Sequence, residues 1–143
     1  MLPWRPSDDE RGSASLEFIV AGLLLLVPIV YLILALGAVQ NAALGTEATA
    51  RFVARTIATG DQASAGVVRD SVAAGYGLDP GALAIRVDCV PATGACPTAG
   101  ATVVVTVSDT VPLPFMPDLF GLAEATAIPV DATGTYRVER LSE

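Results

Sequence analysis

From Phe18 to Val39 every residue is uncharged and most are large and apolar. As a helix, at about 1.5 Å per residue, the run reaches about 33 Å, enough to cross a hydrocarbon core of about 30 Å. Pro28 lies well inside it and is expected to kink or loosen the helix. Gly22 and Gly37 offer places where other helices approach closely. Beyond Val39 the pattern changes but stays helical. Gln40 to Thr59 lacks proline and is rich in alanine, with Ala43, Thr46, Ala50, Val53 and Ile57 spaced for one face. Glu47 stands four residues before Arg51, the favourable order for a helical ion pair, and Arg55 extends that charged row. Gly60-Asp61 marks a stop and a new start. The pattern therefore predicts a long helix from Ser13 to about Thr59.

A second helix is expected from Gln62 to about Ala74, with Asp61 as its cap and Val67, Val68 and Val72 as a modest apolar face. Gly75, Gly77, Pro80 and Gly81 close it. Strand periodicity follows. Leu83, Ile85, Val87 and Cys89 share one parity, and Thr102 to Val111 places Val103, Val105 and Val107 on one side. A third strand is expected within Ala123 to Asp131, resuming at Thr135 to Glu139, with Pro129 marking an edge or a bulge. The fold class is α+β: a long N-terminal helix, a short second helix and a small antiparallel sheet of three or four strands. The domains read as a leader, 1–12, a transmembrane and stem helix, 13–60, and a small α+β domain, 61–143. Between the last strands, Pro112, Pro114 and Pro117 alternate with Leu113, Phe115, Met116, Leu119 and Phe120. These large residues either cover the sheet or face a partner.

Charge and composition narrow the function. The net charge is −7, all eight basic residues are arginine, and histidine is absent. An acidic chain without a basic patch is a poor holder of phosphate backbones, so no nucleic-acid partner is expected. Without histidine the commonest general base and metal ligand are missing. The acids Asp79, Asp88, Asp109, Asp118 and Asp131 are scattered at turns and strand positions. No phosphate loop or nucleophile motif is present, so neither catalysis nor a cofactor is expected.

Cys89 and Cys96, with Pro91, Gly94 and Pro97 nearby, are placed to close a small loop. A disulfide is the first expectation if this part lies outside the cytoplasm, and two free thiols are the alternative. Two thiols alone do not make a zinc site. Arginine counts on either side of the span nearly tie, Arg5 and Arg11 against Arg51 and Arg55, and the cysteines favour a cytoplasmic N-terminus. The first twelve residues carry Asp8, Asp9 and Glu10 against those two arginines. They lack the basic start, short apolar core and closing cleavage signal of a secretory peptide.

One carboxylate interrupts the apolar pattern. Glu17 stands at the mouth of the span, five residues after Gly12. A charge at mid-helix in hydrocarbon costs about 2.5–3.5 kcal/mol, and less near an end. It is either an interfacial carboxylate or one that meets a positive group on assembly. Gly12-Ser13-Ala14-Ser15-Leu16-Glu17-Phe18, running into a leucine-rich span, resembles the type IV prepilin cleavage site. It is most similar to TadE-like proteins, the minor pilins or pseudopilins of tight-adherence (Tad/Flp) pilus systems. The resemblance covers about Arg11 to Arg55.

It implies cleavage between Gly12 and Ser13 by a membrane prepilin peptidase on the cytoplasmic side, and a new amine on Ser13 for Glu17 to neutralise. It also implies other pilin subunits and the Tad assembly platform as partners, and adhesion as the use. The place would be single-pass in a bacterial inner membrane, with the C-terminal domain outside the cytoplasm and a pilus or cell surface after assembly. Phe18 stands where Flp major pilins typically have tyrosine, and the chain carries a C-terminal domain that those short pilins lack. Both departures point to a minor component. The competing reading is an uncleaved, signal-anchored protein whose small domain binds or adheres.

Overall fold

The computed structural model describes residues 13–92, 94–115 and 120–139. Helix α1 spans Ser13–Ala58 and a 3₁₀ turn follows at Gln62–Ser64. Next come α2 (Ala65–Gly75), β1 (Ala84–Val90), β2 (Thr102–Val111), the short α3 (Leu122–Ala125) and β3 (Ile128–Arg137). The chain divides into two compact units between Leu36 and Gly37. The second half of α1 therefore belongs to the unit that holds the sheet.

In the first unit, α1 runs without a break through Pro28. Side chains from Ala14 to Val30 are exposed, so among the described residues this apolar surface has no partner within its own unit.

In the second unit, α1 buries Ala42, Thr46, Thr49, Ala50, Val53, Ala54, Ile57 and Ala58. The stripe differs from the expected one at its start, since Ala42 is buried and Ala43 is exposed. Two adjacent alanines carry no hydropathy contrast, so neighbours decide which one turns inward. Tyr76 and Leu78 close over Gly45, where an added Cβ would lie 2.6 Å from Leu78 Cδ1. The Thr46 hydroxyl donates to the Ala42 and Ala43 carbonyls at 3.0 Å, whereas the buried Thr49 Oγ1 has no hydrogen-bond partner.

Gly60, at φ 89°, ends the helix. Its N–H donates to Ile57 O at 3.1 Å, and Asp61 N donates to Thr56 O at 3.2 Å, the paired bonds of a Schellman stop. Asp61 then accepts from Ser64 N at 3.3 Å and starts the 3₁₀ turn that precedes α2.

Ala73 is the buried anchor of α2, with Ala65 packed against the core. Of the expected valine face, Val68 and Val72 are half-buried, while Val67 is 70% exposed. Small residues let α2 lie close, and valine at that position points away. Gly77 repeats the glycine stop, with Gly77 N to Ala74 O at 3.0 Å and Leu78 N to Ala73 O at 2.9 Å. Arg69 Nε donates to Asp70 Oδ1 at 2.6 Å. That bond and the neighbouring charge hold the guanidinium above its ordinary value.

The sheet has three antiparallel strands in the order β1-β2-β3. Central β2 alternates as its sequence requires, with Val103, Val105 and Val107 fully buried beneath α1 and α2. Ile85 and Cys89 on β1 pair with Val107 and Val103 and pack on that core. Val87 shares their parity but is 42% exposed on an edge strand.

The third strand is a correction. It is one uninterrupted element, Ile128–Arg137, not two pieces, and α3 occupies the region expected to start it. Pro129 lies near the start of an edge strand, opposite Thr110, where its missing donor breaks no central ladder. Gly134 lies mid-strand opposite Val105.

Candidate stem and interaction surfaces

Ser13 is the first described residue of α1. Gly12, and with it the leader 1–12, lies outside the described residues. The first turn of α1 holds no acidic side chain. Glu17 follows in the next turn, exposed, with Leu16 and Phe18 exposed beside it. The helix is long and apolar enough to cross a membrane. Among the described residues, the arrangement is thus an apolar rod with one carboxylate, Glu17, near its first described turn.

Cys89 and Cys96 form a disulfide with Cα atoms 5.8 Å apart. It closes the turn that leaves β1, and Gln62 Nε2 donates to Cys96 O at 3.3 Å, tying this ring to the 3₁₀ turn. The other end of the sheet carries the proline-rich segment. Leu113 is half-buried there, while Phe115 is 83% exposed and Phe120 is fully exposed. Met116 and Leu119 lie outside the described residues. The core-covering reading therefore fails for both phenylalanines, which face outward.

A surface that the sequence pattern did not bring together runs between α1 and the free edge of β3. Arg51, Phe52 and Arg55 on the helix face Thr133, Thr135 and Tyr136 on the strand across a groove of about 580 Å³. Arg51 is ion-paired with Glu47, as the spacing predicts. The groove exists because Gly134 brings β3 against the helix. A Cβ there would meet the Ala50 carbonyl and lie 2.6 Å from Arg51 N. The available signal was a lone glycine inside a Val/Thr strand pattern, which marks close backbone approach as often as a turn.

Among the described residues no group of three or more histidine, cysteine, aspartate or glutamate side chains is placed to hold a metal ion. Comparison with family models, curated proteins and solved structures gives no match to this chain.

Proposed function

We propose that this chain is a pilin-like structural subunit, a minor pilin or pseudopilin. In this reading a prepilin peptidase cuts it after Gly12, and it takes part in building a Tad-type pilus for adhesion. The observation that carries the reading is the apolar stretch of α1 from Ala14 to Val30, every side chain of it exposed, with Glu17 one turn beyond Ser13. A helix uniformly apolar and unpartnered needs lipid or other helices around it. A carboxylate there needs a cation. Cleavage before Ser13 supplies one, because an α-amino group has an ordinary pKa of about 8 and is charged at neutral pH. Glycine at position 12 suits such cleavage, since a residue without a side chain lets the backbone reach a protease.

In this reading the membrane holds the stem first, and the same apolar surface later packs in a bundle of stems. Glu17 then pairs with the Ser13 amine of its own chain or a neighbour. Attraction between opposite charges grows as water is excluded, so the pair favours the bundle over the isolated stem. The small α+β unit lies outside the cytoplasm, where its disulfide persists.

The deciding measurement is the N-terminus of the mature protein in cells with and without the peptidase. Mature chains should begin at Ser13 only when the peptidase is present. Retention of Met1 to Gly12 in peptidase-positive cells rejects the reading. That outcome would favour the second one, an anchored binding module, which draws on the groove lined by Arg51, Phe52, Arg55 and Tyr136.

A further inference from the structure

We infer that the free edge of β3 takes an extended, acidic segment of a partner protein as a fourth strand, seated in the groove beside Arg51 and Arg55. The site lies wholly in the second unit and asks nothing of cleavage at Gly12, so either idea can fail without the other. The sheet ends on β3, which pairs residue for residue with β2 along one side. Among the described residues its other side has no strand against it. Every second residue of such an edge points an N–H and a C=O outward, a template for another chain.

The two edges of the sheet are not alike. β1 carries Arg86 and Asp88 at mid-strand, and charged side chains on an edge discourage pairing. On β3, Thr133-Gly134-Thr135-Tyr136 holds no charge and no proline, and the unbroken register leaves no bulge. All four of these residues line the groove. Successive strand residues point to opposite faces, so a hollow on one face is lined by alternate residues. Lining by four in a row places this hollow along the edge itself.

The helix side of the groove sets the chemistry of the ligand. Gly134 and Tyr136 pair with Val105 and Val103, so they share the face that α1 covers, and Thr133 and Thr135 lie on the other. Phe52 and Tyr136 are both exposed and offer aromatic surface to a strand laid between them. Arg51 is shared with Glu47, whereas Arg55 has no ion pair among the described residues. Two cations on one wall, in a chain of net charge −7, select for carboxylates. The fitting strand alternates acidic and apolar residues toward the helix with small polar ones on the outer face. Main-chain bonds hold it, and the arginines choose it.

The test titrates the end-blocked peptide Thr-Glu-Thr-Leu-Thr-Glu-Thr into the isotope-labelled full chain in zwitterionic micelles, read by amide NMR. Its alternation matches the groove, and its symmetry lets it pair in either direction. So short a segment pays its ordering cost on binding, and a dissociation constant of about 1 mM is expected. Shifts should centre on Thr133 to Tyr136 and on Arg51 to Arg55, and leave Arg86 to Asp88 unmoved. The same peptide with its backbone nitrogens methylated should not bind, because it cannot complete a ladder. Lysine in place of both glutamates should weaken binding about ten-fold. Arg55→Gln, a surface change, should weaken the acidic peptide about three-fold, the effect of one exposed charge pair. No shift at about 10 mM peptide, equal binding of the methylated peptide, or equal binding of the lysine peptide overturns the inference. So does broadening of the β3 amides that grows with the concentration of the chain itself and ignores the peptide, which assigns the edge to a second copy.

Discussion

Gly134 has the Ala50 backbone lying directly over it, and this one contact sets the distance between helix and sheet. Gly134→Ala should lower stability by about 2 kcal/mol, the usual cost of forcing an extra carbon into a filled core. Urea unfolding of the full chain in detergent measures it, and an unchanged midpoint would mean that the helix does not lie that close. The residue was visible in the sequence, but its meaning was not. Glycine inside a strand pattern reads as an interruption when nothing shows what approaches it. Ala42 and Ala43 pose the same difficulty in a helix, because identical neighbours cannot reveal which one is buried. Val103, Val105 and Val107 were legible, because Thr102, Thr106 and Ser108 hold most of the opposite parity and only Val104 blurs the choice of face. Phe115 and Phe120 were legible as unusual, but their outward direction depends on backbone angles that composition does not encode.

At the level of elements, periodicity located both long helical stretches and the two strands with clear alternation. It failed where the special residue was glycine or proline, as in β3. The Cys89–Cys96 ring is short, so its contribution follows from loop length. Closing about eight residues restricts the unfolded chain by about 2.5 kcal/mol at room temperature. Replacing both cysteines with serine should lower stability by about that amount and free the end of β1. Hydrogen exchange on Cys89 and Val90 should rise while the central residues of β2 stay protected. Equal loss of protection across the whole sheet would show that the ring holds the core and not merely an edge. Its position explains the expectation: β1 is an outer strand, and Gln62 is the side chain that ties the ring to the 3₁₀ turn.

For the whole molecule, the contrast lies between two kinds of apolar surface. The first unit displays large residues outward, and the second packs small ones inward. In the proposed assembly, Glu17→Ala should leave cleavage before Ser13 intact. It should reduce incorporation into pili by about five-fold, corresponding to about 1 kcal/mol for an ion pair near a surface. The readout is the ratio of subunit in sheared filaments to subunit in membranes, and an unchanged ratio would make the carboxylate merely interfacial.

The second unit carries a different consequence in its choice of side chains. Its core joins Ala50, Ala54, Ala58 and Ala73 to Val53, Ile57, Leu83 and three β2 valines, set against Gly134. Around its alanines and Gly134 such an interior leaves little room to add. Lineages of this protein should therefore accept few interior exchanges, and their divergence should collect in the disulfide ring and the outer sheet face. Among sequences that have drifted far apart, alanine at position 50 and glycine at position 134 should be inherited together or replaced together.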